Sequence, residues 1–196
     1  MPDVHTVSEY PAFSINEAFV SYFRIFFPAF PDTQKQLHLP DTLPKYAAEY
    51  QAGVIVFEYL EMQGKISGKK KQKLHLWRKR DIQKLCEHQA HRNRIRVSRV
   101  SARNTSRLAC DGSGAVVRNP ENHSLCIFQT GKQYNCDLSA TYNIGARYFI
   151  RELLKPLPET ERSSLEAKVP AVKRRTSCVY ADLRKLYVEV NNLKAA

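Results

Sequence analysis

The chain has 196 residues, 43% hydrophobic and 26% charged, which is the balance of a soluble globular protein with room for one good core and a small appendage. Its net charge of +12 points to a polyanionic partner. Five cysteines, an odd number, without a basic leader and small-residue cleavage site, argue against a disulfide-stapled secreted scaffold and for a reducing, cytoplasmic setting.

In chain order, residues 1–44 are poorly patterned and punctuated by Pro2, Pro11, Pro28, Pro31, Pro40 and Pro44. The most apolar stretch, Ala18 to Phe30, has 13 residues and contains Arg24 and Pro28, so it is too short to span a bilayer and no membrane partner is expected. Lys45 to Gly53 has helical composition and ends at a glycine stop. Val54 to Leu60 is the strongest strand in the chain, and its continuous apolar run predicts burial on both faces, with Glu58 set into it.

Gly64 to Lys73 reads as a Gly/Lys loop and Leu74 to Asn93 as a helix, with Leu74, Trp77, Ile82, Leu85, Cys86 and Ala90 on its apolar side. Ile95 to Val100 alternates as a half-exposed strand. Residues 103–136 hold the Gly-rich turn Cys110 to Gly114, a loop at Asn119-Pro120, a short strand at Ser124–Phe128 and a turn at Gly131. Ser139 to Leu154 is a helix stopped by Pro156 and Pro158. Two further helices follow, at Glu159–Lys168 and Ala181–Lys194, with Lys173-Arg174-Arg175 between them read as surface charge. These elements make a mixed α/β fold.

The positive charge is one patch. Lys65 to Arg107 holds 15 Lys/Arg against only Asp81 and Glu87, a balance of +13, so the remaining residues sum to −1. A solvated helix face normally mixes signs, whereas a concentrated patch is the footprint of phosphate contacts. Lys73, Trp77, Arg78, Arg80, Lys84, Arg92, Arg94, Arg96, Arg99, Arg103 and Arg107 are therefore the candidate nucleic-acid contacts, Trp77 adding a stacking surface.

Two acids stand out. Glu58 inside an apolar strand must find a cation, ionise less readily or reach the strand's exposed end; a divalent metal and one of the many arginines are both available answers. Asp137 directly precedes a helix, where a cap is the simplest reading and a metal ligand the sharper one.

Those residues carry a resemblance. Ile55-Val-Phe-Glu-Tyr-Leu60 resembles the second acidic motif of the RuvC-like nuclease domain in the TnpB/OrfB family of transposon-encoded, RNA-guided DNA endonucleases, relatives of the type V CRISPR effectors. Asn135-Cys-Asp-Leu-Ser-Ala-Thr-Tyr-Asn-Ile144 resembles the third, with Ser139 and Thr141 where the family usually has Asn and Ala. Val100 to Ser106 is similar to the segment leading into the family's zinc ribbon, and the match covers roughly residues 45–155.

The resemblance implies a partial RuvC-like (RNase H-like) nuclease domain at 45–155. It would carry a degenerate zinc-ribbon hairpin inserted at 103–136 and a helical tail at 156–196, behind an unplaced segment 1–44. It implies Glu58 and Asp137 as catalytic, Mg- or Mn-binding acids, with DNA and a guide RNA as partners and a bacterial, nucleoid-associated location. Two departures shape the expectation. The family's first acidic motif, usually Asp-x-Gly, has no counterpart before Glu58, so metal binding should be weak and no appreciable nuclease activity is expected from this chain alone. The zinc-ribbon pairs are also broken. Cys110 and Ser113 stand at the first pair, Ile127 and Thr130 at the second with Cys126 one residue off, and Cys110, His123 and Cys126 make an incomplete set, so no zinc is expected. Cys86, Cys136 and Cys178 read as small core residues. The competing reading is a non-catalytic basic DNA- or RNA-binding protein.

Overall fold

The computed structural model describes residues 39–59 and 70–195, with side chains described at 42–59 and 81–194. The stretch Ala18–Phe30, the loop at 64–69 and Leu60 lie outside the described residues.

The chain is mixed α/β. Helix α1 (Leu39–Glu49) begins six residues before the expected start and passes through Pro44. Pro44 is the sixth residue of the helix, so it forfeits one interior hydrogen bond, while its ring is fully buried. Strand β1 (Val54–Tyr59) follows, then helix α2 (Lys70–Arg92) and strand β2 (Arg96–Ser101). Strands β1 and β2 are parallel, with Val54 opposite Arg96 and Glu58 opposite Val100. A parallel pair needs a long crossover, and α2 supplies it.

The two faces of this small sheet differ. Ile55 and Phe57 are buried with Leu43, Ala47, Cys86, Ala90 and Ile95, so α1 and α2 cover that face. Val54, Val56 and Glu58 point to the other face and are half-buried, so the strand is not enclosed on both sides as its apolar run predicts. Of the expected apolar side of α2, Ile82, Cys86 and Ala90 pack into this cluster and Leu85 is 53% exposed, while the side chains of Leu74 and Trp77 lie outside those described.

Residues 103–135 form an inserted module. Strands β3 (Val117–Arg118), β4 (Leu125–Ile127) and β5 (Gln133–Asn135) make an antiparallel sheet in that order. A separate bridge joins Leu108 to Ala115 around the Gly-rich turn. Gly114, at φ +117, tolerates that turn; a Cβ there would meet the Gln129 side chain at 2.7 Å.

Helix α3 (Cys136–Leu154) returns across the sheet, followed by α4 (Glu159–Lys168), a 3₁₀ turn (Pro170–Lys173) and α5 (Tyr180–Ala195). The C-terminal helices are integral to the core. Ala146, Ile150 and Leu154 of α3 are buried with Leu165, Val169, Val172, Cys178, Leu183, Leu186 and Val190. Spacing of three and four residues on α5 puts Leu183, Leu186 and Val190 on one stripe. Among the described residues, no helix is long and apolar enough to cross a membrane.

The packing makes a direct contrast on one helix. Leu186 is fully buried and Val188 is 54% exposed. Leu186→Ala should cost about 2–5 kcal/mol in urea unfolding, and Val188→Ala within about 0.5 kcal/mol of zero. Equal losses would contradict this core.

Candidate acidic site and basic surface

Helix α3 starts at Cys136 because Asn135, extended at φ −72 and ψ 125, caps it. Asn135 Oδ1 accepts a hydrogen bond from the Leu138 amide at 2.9 Å. The sequence assigns that role to Asp137, and the structure corrects it. The better cap lies two residues upstream, and Asp137 falls in the first turn, where its charge meets the positive end of the helix. Its side chain is exposed. Its backbone carbonyl accepts from the Thr141 hydroxyl at 2.9 Å.

Glu58 stands on the sheet face that α3 covers. The Thr105 hydroxyl donates to Glu58 Oε1 and also lies 3.1 Å from the Ala102 carbonyl. Thr105 is 2% exposed. The Glu58 backbone carbonyl accepts from Gln83 Nε2 at 3.1 Å, tying β1 to α2.

Thr105 is in turn held by Asn143, which is wholly buried. Asn143 Nδ2 donates to the Thr105 carbonyl at 3.0 Å and the Leu108 carbonyl at 2.8 Å, and its Oδ1 accepts from the Tyr180 amide at 3.1 Å. One side chain therefore joins α3, the inserted module and the start of α5.

One turn on, Arg147 is 2% exposed. Its Nη1 donates to the Ser101 carbonyl at 2.6 Å and its Nε to the Cys178 carbonyl at 3.1 Å. Nη2 is buried with no partner among the described residues. Burial pulls the guanidinium below its ordinary pKa, while Cys178 and then Glu58 act in the opposite direction. Glu58 thus has a buried arginine in its electrostatic reach, without a direct ion pair among the described residues.

Contacts along α3 locate the second acid. Arg151 meets the Arg99 carbonyl, Arg147 the Ser101 carbonyl and Asn143 the Thr105 carbonyl, so α3 runs antiparallel to β2. Its N-terminus therefore lies beyond the C-terminal ends of β1 and β2, the edge where Glu58 stands. Asp137 is six residues, about 9 Å, further along the axis than Asn143. The helical repeat puts it on the same stripe as Tyr148 and Arg151, which meet β2 through Arg96 and Ser98. This direction puts both acids toward the same end of the strands, with no direct contact between them among the described residues. Among the described residues, no three His, Cys, Asp or Glu side chains gather as a metal site, so any cation here would rely on this carboxylate pair.

The basic residues divide into two groups at the ends of β2, whose six residues span about 20 Å. Arg92 and Arg94 are exposed before its start, with Arg94 in a left-handed conformation (φ 57) that glycine would adopt more cheaply. Arg103 and Arg107 are exposed beyond its end, the end that carries Glu58. Lys84 is exposed on α2. Two candidates are engaged within the protein. Arg99 pairs with Glu87 at 2.7 Å, and that hydrogen bond holds the Glu87 carboxyl below its ordinary pKa. Arg96 donates to the Tyr148 hydroxyl and lies 3.4 Å from Glu152. Lys73, Trp77, Arg78 and Arg80 belong to α2, with side chains outside those described.

The thiols of the insert are grouped differently from the sequence pattern. Cys110, Cys126 and Cys136 are buried with Ala109 and Phe128, while His123 is exposed. Cys126 of β4 is buried beside Cys136, the residue that follows β5 and opens α3. Burial, followed by the adjoining Cys136 and Cys110, pushes the Cys126 thiol up to about 12. Burial also pushes Cys178 up to about 12.

Thr105 and Arg147 were not among the sequence candidates. Arg147 had a findable signal, since it lies four residues after Asn143 and so on the same helix face. Thr105 had none, because its reach to Glu58 spans 47 residues. Comparison with protein families, curated proteins and solved structures finds no match to this chain.

Asn143→Leu keeps the volume but strands two carbonyls and an amide. It should cost about 3 kcal/mol or more in chemical unfolding, because each buried polar group left unpaired costs about 1–3 kcal/mol. A loss below 1 kcal/mol would show these bonds to be dispensable. Cys126 and Cys178 should resist iodoacetamide at pH 8 in the folded protein and react fully in denaturant, since the thiolate is the nucleophile. Rapid native labelling of either, read by mass spectrometry, would contradict this burial.

Proposed function

We propose that this chain is a nucleic-acid-binding protein of the TnpB/OrfB, transposase-associated type, built on part of a RuvC-like endonuclease domain and without appreciable cleavage activity alone. The observation that carries the reading is one arrangement. Glu58 near the end of β1 and Asp137 in the first turn of α3 lie toward one end of the parallel pair, and the exposed Arg103 and Arg107 follow the same end of β2. A cation beside two carboxylates and two arginines is chemistry suited to a phosphodiester.

The donor set fits a hard divalent ion such as Mg or Mn, which takes carboxylate oxygens. Glu58 and Asp137 would hold it, and such an ion supplies water activation and charge stabilisation at phosphorus. Glu58 is oriented by Thr105, and Thr105 by Asn143. Arg147 offers positive charge beneath the same edge. Two carboxylates are a thin ligand set, which supports weak binding and low activity.

The second reading, a DNA- or RNA-binding protein without chemistry, is favoured by the internal hydrogen bond that Glu58 makes to Thr105. In that case Glu58 is a strut joining β1 to the insert.

If Lys84, Arg92, Arg94, Arg103 and Arg107 each neutralise one phosphate, log K for duplex DNA should fall with log salt at a slope of about −4.5. Fluorescence anisotropy across 50–300 mM salt checks this, and a flat dependence would remove the nucleic-acid reading. Incubation of the chain with DNA and Mg²⁺ should give no appreciable cleavage. Robust Mg²⁺-dependent cutting that vanishes in Glu58→Gln would overturn inactivity while keeping the site.

A further inference from the structure

A cleft of about 440 Å³ opens at the other end of α3, between the start of β2 and the C-terminal helices. Its walls carry Arg96, Arg151, Lys155, Arg162 and Arg175, with Ser98 between them and Glu152 as the one carboxylate. Five cations face one anion in a concave space. The C-terminal carbonyls of α3 add only about half a negative charge, so a strong positive excess remains.

The cations have two different states. Arg151 is fixed, its Nε on Glu152 at 3.1 Å, Nη1 on the Arg99 carbonyl at 3.2 Å and Nη2 on Ser98 Oγ at 2.6 Å. Arg96 and Arg151 both lie over the Tyr148 ring, 5.7 and 5.3 Å from its centroid, and share Glu152. Arg162 is anchored through Glu159 and the Leu157 carbonyl, and its Nε is buried with no partner among the described residues. By contrast, Lys155 and Arg175 are exposed and make no hydrogen bond or ion pair through their side chains among the described residues. The cleft thus has a rigid cationic floor and two free cations at its rim. An isolated surface charge needs no explanation, but like charges held together around a concavity need an anion to offset their repulsion.

We propose that this cleft binds a phosphate group. Guanidinium groups fixed in orientation match a tetrahedral, doubly charged oxyanion, and the exposed Lys155 and Arg175 stand at the rim to complete its pairing. The volume exceeds that of one phosphate and suits a pyrophosphate or a nucleotide. The phosphate can come from a free phosphorylated compound or from a nucleic-acid strand. The proposal stands apart from the reading of Glu58 and Asp137, which lie at the opposite end of the sheet.

Pyrophosphate is titrated into the full chain by calorimetry, with sulfate as the comparison anion. Binding tighter than sulfate is expected, weakened at least tenfold in Lys155→Gln/Arg175→Gln. Because both side chains are exposed and unpaired, the variant should unfold at the same temperature as the parent. Arg103→Gln/Arg107→Gln removes the same charge at the far end and should leave pyrophosphate affinity unchanged. Failure to bind pyrophosphate, equal affinity in the Lys155/Arg175 variant, or an equal loss in the Arg103/Arg107 variant each overturns the proposal. A second arm measures a fluorescent oligonucleotide with and without pyrophosphate. Competition that disappears in the Lys155/Arg175 variant assigns the cleft to a nucleic-acid phosphate. Pyrophosphate binding without competition assigns it to a free phosphorylated compound. Oligonucleotide binding lost with pyrophosphate binding intact would instead strike the proposed function alone.

Discussion

The arrangement depends on Asn143. A buried amide with three hydrogen bonds is costly to leave partly satisfied, so its partners are held to it. Those partners are the Thr105 and Leu108 carbonyls of the insert and the Tyr180 amide of α5. Through Thr105 the constraint reaches Glu58, and through its own helix it sets where Asp137 lies relative to the sheet edge. The apolar contacts of α3 hold the helix against α4 and α5, but they are non-directional. Asn143 supplies the register.

The two ends of β2 consequently have different chemistry. At the C-terminal end, two carboxylates stand with exposed Arg103 and Arg107. At the N-terminal end, arginines on β2, α3, α4 and the segment after the 3₁₀ turn line a cleft with a single acid. The strong positive charge of the chain is thus partly separated in space, and the two sites can be perturbed independently.

Much of this was legible in the sequence where one element carries its own pattern. The bounds of α4 agree with the expected Glu159–Lys168, and β1 begins at Val54 as its apolar run requires. The errors arise where distant residues decide. Asp137 looks like the cap until Asn135 takes the role, because both residue types cap helices and only geometry selects between them. Leu85 looks like core by helical spacing, yet among the described residues of α2 it is Ile82, Cys86 and Ala90 that join the buried cluster with Ile55 and Phe57. Arg175 is exposed as expected, but that it also lines a cleft is not legible locally, since the walls come from residues separated by up to 79 positions. Hydrogen bonds from Thr105 to Glu58 and from Arg147 to Ser101 and Cys178 likewise join parts of the chain that no local pattern relates.

The proposed reading is that Glu58 and Asp137 would together hold one cation. Paramagnetic broadening of backbone amide signals by substoichiometric Mn²⁺ tests it directly, because it detects weak binding and reports location. Signals around Glu58 and around Asp137 should broaden together, and Glu58→Gln should abolish the broadening at both. Broadening near Asp137 that persists in Glu58→Gln, or no broadening at either acid, would contradict a shared site.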